Sequence, residues 1–245
     1  MVYKEIAKIL GLDEVKDKKA AKILNEILPE PNFNILEKII AGKDVIVFGA
    51  GPSLKEDIMN IKSKKLHKEL KIIAADGAVK ALIEEKIFPD ILVTDLDGDE
   101  KSILKANKHG TITLIHAHSD NILKIKKIVP KLKKDNILGT TQCEEFGKLK
   151  NFGGFTDGDR AVFLAEHFNA KLIILAGMDF GEKIGKYSGE FIRERKLKKL
   201  KIGKKLIENL AKKSKVVILN ITKKGEYLVA VPKISIEDLA TLLGF

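Results

Sequence analysis

The chain has no tryptophan, three tyrosines, one cysteine and six prolines among 245 residues. A lone Cys143 can form no intramolecular disulfide and fill no thiolate metal site, which excludes a zinc ribbon and an iron–sulfur protein. Long apolar runs are missing too. Leu172 to Met178 and Val216 to Leu219 stop well short of the roughly 18 residues that a membrane span requires, and no signal peptide precedes them. These absences imply a cytoplasmic protein with no membrane partner. Arginine is equally scarce: Arg160, Arg193 and Arg195 are its only representatives, although basic residues outnumber acidic ones by 45 to 34, for a net charge of +11. Phosphate-tracking and base-reading surfaces lean on the guanidinium and on stacking aromatics, so this charge is read as a solvated Lys/Glu-rich surface of the heat-stable kind before a nucleic-acid interface.

What is present is 44% hydrophobic residues at a mean hydropathy of −0.04 in a 27.2 kDa chain, an ordinary globular composition with room for one or two domains. Short, almost wholly apolar runs recur at Val45 to Phe48, Ile72 to Ala75, Ile91 to Thr94, Ile112 to Ile115, Ile137 to Thr140, Leu172 to Ala176 and Val216 to Leu219. Between them lie helical periods, such as Ala78, Leu82 and Ile83 or Ala161, Leu164, Ala165 and Phe168. This alternation predicts an α/β fold with a doubly wound, mostly parallel, Rossmann-like sheet whose functional residues gather at the carboxyl ends of the strands. Residues 1–41 carry no strand signal and read as a helical extension broken by Pro29 and Pro31, which leaves 42–245 as the α/β domain. Gly189 to Lys213 reads as a Lys-rich surface helix packing through Phe191, Leu197, Leu200, Ile207 and Leu210, with Gly203 as an interruption.

Each predicted strand ends in polar chemistry. The first runs into Gly49-Ala50-Gly51-Pro52-Ser53-Leu54. There the glycines admit an anion close to the backbone, Pro52 suits the first turn of a helix, and the Ser53 hydroxyl offers a further hydrogen bond. A tight turn without a ligand explains the same residues, and the dinucleotide fingerprint would want glycine where Leu54 stands. The second strand ends in Asp76-Gly77, a carboxylate able to hold a ribose hydroxyl, face a metal or cap a helix.

Beyond the third strand, Asp90, Asp95, Asp97, Asp99 and Glu100 crowd five acids into eleven residues of a basic protein. Two carboxylates about 5 Å apart repel by about 3 kcal/mol at an effective dielectric of 20, so a bound cation is the natural compensation where they converge. Asp95 and Asp97, two apart, share one side of an extended segment. An EF-hand is excluded because its turn glycine and bidentate acid would fall on Glu100 and Ala106. Oxygen ligands without His or Cys favour magnesium shared with nucleotide phosphates. After the fourth strand, His116-Ala117-His118-Ser119-Asp120-Asn121 offers Asp120 as a further magnesium ligand and His118 as a polar substrate contact, with zinc or simple capping as the alternatives. Asn151 to Arg160 is a glycine-rich entry to a helix capped by Thr156 or Asp157, and Arg160 is suited to bidentate phosphate contact. The loop from Gly177 to Gly189 carries Lys183 and Lys186 and could close over a polyphosphate.

The segments GAGPSL, AADGA, PDILVTDLDGD, HAHSDN, NFGGFTDGDRA and GMDFG, taken in order, resemble the archaeal 6-hydroxymethyl-7,8-dihydropterin pyrophosphokinase family over roughly residues 45–190. The resemblance implies transfer of a pyrophosphoryl group from ATP to the hydroxymethyl of a reduced pterin, with magnesium, on the route to tetrahydromethanopterin. The central run is also similar to thiamine pyrophosphokinases, and that similarity places metal-site carboxylates at Asp76, Asp95, Asp97 and Asp120. Together these readings make Asp97, Arg160 and His118 the candidate catalytic residues and Asp95, Asp97 and Asp120 the metal ligands. Gly49, Gly51, Pro52, Ser53, Asp76, Gly77, Thr156 and Asp157 become the nucleotide-binding set. Two other classes stay open. GAGPSL-type turns also resemble those of nucleotide-sugar glycosyltransferases, and the +11 charge suits a non-catalytic nucleotide- or RNA-binding module. A homo-oligomer is left open, and Phe152, Phe155 and Phe180 could stack on a flat ring or fill the core.

Overall fold

All seven apolar runs are strands with nearly every residue buried, as runs without polar alternation must be when both faces are covered. The computed structural model describes residues 3–189 and 191–245. Met1 and Val2, at the head of the expected helical extension, and Glu190, in the expected long helix, lie outside the described residues. The chain opens with α1 (Tyr3–Leu10), α2 (Glu14–Ile27) and α3 (Asn34–Ile40), and then enters the sheet. There follow β1 (Asp44–Phe48), α4 (Leu54–Ser63), β2 (Lys71–Ala75), α5 (Ala78–Glu84), β3 (Ile91–Thr94), α6 (Glu100–Lys108), β4 (Ile112–Ala117), α7 (Ile122–Ile128) and β5 (Ile137–Thr141). The last elements are β6 (Leu149–Lys150), α8 (Asp157–His167), β7 (Leu172–Ala176), α9 (Arg193–Ala211), β8 (Val217–Asn220) and α10 (Ile236–Leu242). Strand β6 escaped the sequence reading because two residues, one of them exposed, carry no period.

The strands form one eight-stranded sheet in the order β6-β5-β4-β3-β2-β1-β7-β8. Every neighbouring pair is parallel. From β1 the chain steps outward strand by strand, and α4 to α7 bury Ile58, Ala78, Ile103 and Ile125 with Ile46, Phe48 and Ala74 on one face. Helix α8 returns across the other face, where Ala161, Val162 and Leu164 meet Val45, Val47, Ile73 and Val93. Alternate residues of a single strand therefore feed two separate cores. The reversal of direction falls between β1 and β7, and the loops leaving these strands part there to open a crevice.

The N-terminal helices contribute to both faces. Helix α2 buries Ala20, Ala21 and Leu24 in the first core and α3 buries Leu36 and Ile40 in the second. Asp13 starts α2 by accepting hydrogen bonds from the Val15 and Lys16 N–H groups at 3.0 and 3.2 Å. Helix α9 departs from its sequence reading in two respects. It begins at Arg193, with Phe191 ahead of it and exposed, and it runs through Gly203 without a break. Leu197, Leu200 and Leu210 are half-buried and Ile207 is buried, so the packing stripe is as expected. Among the described residues no helix is long and apolar enough to cross a membrane.

Candidate active site

A cavity of about 550 Å3 lies over the carboxyl ends of the strands, bounded by the turns after β1, β2, β3 and β7, the start of α8 and one side of α9. Asp76 turns into it from a left-handed backbone (φ 38°), which places its carboxyl where the Thr94 hydroxyl donates at 2.6 Å and the Gly98 N–H at 3.1 Å. Gly77, not Asp76, caps α5, so the capping reading of Asp76 falls away. At the next strand end Leu96 adopts φ 67° with its side chain buried at 1% exposure. Left-handed backbone is costly for leucine, by roughly 1–2 kcal/mol, and burial of the side chain offsets that cost. The kink ends the extended segment on which Asp95 and Asp97 were expected to share a side, and the two diverge. Asp95 turns inward. Asp97 lines the cavity from an exposed position and takes the Lys124 ammonium at 2.7 Å.

The partner that joins Asp76 and Asp95 is Asp157. One carboxylate oxygen from each of these three residues lies within 4.8 Å of the others. Asp157 is free for this because Thr156 caps α8: the Thr156 N–H and hydroxyl donate to Asp159 at 3.0 and 2.8 Å. Carboxylates at such separations repel by about 3–4 kcal/mol per pair at an effective dielectric of 20. Protonation follows that strain. Burial first, then the charges of Asp95 and Asp97, pushes Asp76 up to about 7 against the help of Thr94 and Gly98. Burial and the neighbouring Asp95 and Asp76 push Asp157 well above the usual carboxylate range, with Arg160 opposing. Asp95 goes the other way: burial raises it, but the His118 hydrogen bond, aided by the charges of Lys199 and Arg160, brings it down to about 2.

His118 lines the cavity beside Asp95, with Nε2 3.3 Å from the Asp95 carboxylate. Its Nδ1 accepts the Asp120 N–H at 3.3 Å, which leaves the proton on Nε2 and makes His118 a donor that orients Asp95. Arg160 is buried at the cavity wall and donates to Asp157 at 3.4 Å and to the Gln142 side-chain oxygen at 3.0 Å. Gln142 in turn donates at 2.6 Å to Asp17, a fully buried residue of α2 that also accepts the Ser119 N–H at 2.7 Å. Helix α2 thus reaches the site through a chain of hydrogen bonds. Neither Asp17 nor Gln142 stood out in the sequence, because nothing local distinguishes one Asp of an amphipathic helix from its neighbours.

The glycine turn after β1 lines the cavity, and the N–H groups of Gly49, Gly51, Ser53 and Leu54 are engaged within the fold. The N–H groups of Gly49 and Gly51 reach Ala176 and Gly177 carbonyls at 2.9 and 2.8 Å, and Leu54 reaches Gly51 at 3.1 Å. Ser53 donates its hydroxyl to Asp179 at 2.6 Å and its N–H to the same carboxylate at 3.2 Å. A Cβ on Gly51 would stand 2.1 Å from Asp179, and one on Gly49 2.8 Å from the Gly177 carbonyl. These glycines let the turn after β1 press against the turn after β7. Pro52 closes the turn among the lining residues. The glycines of the later loop work alike: Cβ atoms on Gly185 and Gly189 would collide with the backbone of Ala50 and Asp97, and one on Gly77 with Tyr187. The loop is therefore seated on the turns below it, with Lys183 in the cavity wall and Lys186 over the Tyr187 ring at 4.9 Å.

The remaining acids have other work. Asp120 lines the cavity outside the three-carboxylate cluster, exposed and paired with Arg195 at 3.1 Å. Asp99 caps α6, accepting the Ser102 N–H at 2.9 Å, Glu100 holds Lys127 and Lys131 at 2.7 Å, and Asp90 accepts the Ile72 N–H at 2.8 Å. His116 is buried beneath the site with Nδ1 on the Thr140 hydroxyl at 3.0 Å. Of the phenylalanines, Phe155 and Phe180 line the cavity, whereas Phe152 packs against Phe33 and Phe168.

Comparisons with known proteins bear on this site. Residues 18–185 match a family described as 6-hydroxymethylpterin diphosphokinase MptE-like. Three curated relatives, each called 6-hydroxymethyl-7,8-dihydropterin pyrophosphokinase, align over most of the chain. The Methanocaldococcus jannaschii protein is 47% identical over 89% of this chain and 96% of its own length. That of Methanothermobacter thermautotrophicus is 45% identical over 76% and 79%, and that of Pyrococcus furiosus 41% over 90% and 96%. A solved structure, the MAf glycosyltransferase from Magnetospirillum magneticum AMB-1, superposes on 90% of this chain with a TM-score of 0.56 at 14% identity. This chain spans 38% of that protein's length, and the likeness is one of fold.

Proposed function

The chain belongs to the MptE-like family of 6-hydroxymethylpterin diphosphokinases, and from that premise we propose that it transfers a pyrophosphoryl group from ATP to the hydroxymethyl of 6-hydroxymethyl-7,8-dihydropterin, releasing AMP, in the synthesis of tetrahydromethanopterin. The observation that carries the reading is the meeting of three carboxylates from three separate segments, within 4.8 Å, at the floor of a cavity large enough for a nucleotide and a small ring system. Fourteen per cent identity to the glycosyltransferase carries no chemistry across, so the nucleotide-sugar alternative gains nothing from it.

The same three residues fit magnesium. They offer oxygen alone, and the burial and mutual repulsion that together raise Asp76 and Asp157 are what a divalent cation would relieve. Bound there, magnesium would neutralise charge on the phosphate oxygens. In the transfer itself, the pterin hydroxyl oxygen forms a bond to the β-phosphorus. The bond from that phosphorus to the α–β bridging oxygen breaks, and the electron pair stays on AMP. The hydroxyl proton passes to a carboxylate of the cluster. Arg160, held in place by Asp157 and Gln142, presents its remaining donors to the developing charge, and His118 keeps Asp95 ionised and oriented.

The test is to incubate the protein with ATP, magnesium and the reduced pterin alcohol and to identify the products. AMP and the pterin methyl diphosphate are expected. Release of ADP, or absence of a pterin product, would overturn the proposal.

A further inference from the structure

Helix α9 delivers to the cavity a cation that nothing in the sequence set apart. The helix owes its position to Gly203, buried where α9 crosses the start of α8: a Cβ there would lie 2.6 Å from an Asp159 carboxylate oxygen and 3.3 Å from the Thr156 hydroxyl. A residue without a side chain lets α9 settle directly on the cap of α8, next to Asp157. One turn earlier, on the same face, Lys199 enters the cavity. Its ammonium sits 5.9 Å from the centre of the Phe155 ring. Asp95 and Asp157 attract it while Arg195 and Arg160 repel it, and burial, the largest influence, holds its pKa below that of an ordinary lysine.

Lys183 and Lys196 also line the cavity, and the two arginines at this end have carboxylate partners, although the buried Arg195 Nε–H has none. Arg160 has Asp157 and Gln142, and Arg195 has Asp120. Among the described residues the Lys199 ammonium makes no ion pair and no hydrogen bond. A half-buried ammonium without an ion pair is poorly compensated, and an anion in the cavity would complete the arrangement. Lysine, as a compact point charge with three donors, suits phosphate oxygens.

We infer that Lys199 is a phosphate-binding residue of the transfer reaction, donating to non-bridging oxygens of the pyrophosphoryl group as it leaves the nucleotide beside the three carboxylates. The inference rests on the proposed ATP chemistry and assigns a polyphosphate subsite to the α9 side of the cavity rather than to the glycine turn after β1. Removal of an interaction strengthened in the transition state lowers kcat by about 100-fold or more.

Three measurements on the full-length protein test it. First, wild-type product formation is measured; if that fails, the reaction is misassigned. With an active wild type, Lys199→Gln is expected to lose about 100-fold in kcat, Lys199→Arg to recover part of it, and Lys201→Gln, on the exposed side of α9, to behave as wild type. Second, calorimetry with magnesium tripolyphosphate and no pterin should show Lys199→Gln binding about tenfold or more weakly. Third, without ligand, Lys199→Gln should melt no lower than wild type, since it removes an uncompensated charge. Unchanged turnover and tripolyphosphate affinity in an active background would overturn the inference. So would a fall in ligand-free melting temperature that accounts for the lost activity, which would mark Lys199 as structural.

Discussion

Two groups of buried acids stand at the same edge of the sheet and differ in what their oxygens meet. Asp57 and Asp179, under the β1–β7 crevice, are fully supplied with donors. Asp57 accepts the Gly177 N–H at 2.8 Å and the Lys223 N–H at 3.1 Å, and Asp179 takes both donors of Ser53. Asp76, Asp95 and Asp157 turn oxygens toward one another instead, and Asp157 has only the long Arg160 contact at 3.4 Å. Both groups carry raised carboxyls: burial lifts Asp57 to about 7, opposed by its two backbone donors, and lifts Asp76 as far. A raised carboxyl therefore does not by itself mark a site. The difference lies in the donors: the first pair is complete as a clamp between loops, and the second trio is complete only with a cation.

The sharpest way to break this contrast is to neutralise each group in turn. Asp157→Asn is expected to reduce turnover by about 1,000-fold or more while leaving the ligand-free melting temperature unchanged or higher, because a buried carboxyl that is costly to ionise is gone. Turnover and calorimetry on the one variant check both halves, and a large loss of stability would place Asp157 with the structural pair.

Asp179→Ala should do the reverse. It strands two buried Ser53 donors, each worth about 1–3 kcal/mol, and the melting temperature should fall by several degrees, while turnover assayed well below that temperature changes by a few-fold at most. A fall in stability smaller than that in Asp157→Asn would count against the assignment.

Acidity separates the groups more gently. Asp76 is raised to about 7 and Asp157 is raised as well, so protons compete with a divalent cation for the site. Apparent magnesium affinity should therefore rise about tenfold or more between pH 6 and 8, measured by titration at fixed ionic strength; a flat profile would contradict the clustering. Stability of the metal-free protein has its own sign. Carboxyls whose folded values exceed the unfolded ones near 3.8 favour the fold when protonated, so Asp57 and Asp76 both withdraw stability as pH climbs from about 4 through about 7. Added magnesium should restore the Asp76 share alone.

The smallest effects are expected at two of the four acids that sequence similarity placed with the metal. Asp97 and Asp120 are exposed and held by Lys124 and Arg195, so Asp97→Asn and Asp120→Asn should cost no more than about threefold in turnover. Loss of activity in Asp97→Asn would shift the site outward and sink the contrast drawn here.

Much of the architecture was readable in the chain because burial on both faces writes itself locally: seven strands announced themselves as unbroken apolar runs, and α8 by its 3.6-residue period. Asp76, Asp95, His118, Arg160 and the glycine turns were legible as residues at strand ends. The purposes of several were not. Gly49 and Gly51 read as an anion cradle, and the turn after β7 pressed against them adds a packing role, while Gly203 looks like a helix break until Asp159 is seen beneath it. One lysine among many gave no sign of being Lys199.

What the sequence determined by itself was a parallel α/β sheet with polar chemistry at the strand ends, since hydrophobic period and turn composition act over a few residues. Which acids meet was decided only in three dimensions. The left-handed turn at Leu96 sends Asp97 outward, and the return of α8 beneath the sheet brings in Asp157 from some sixty residues away, as the numbering shows. Electrostatic repulsion depends on distance through space, and spacing along the chain does not encode it.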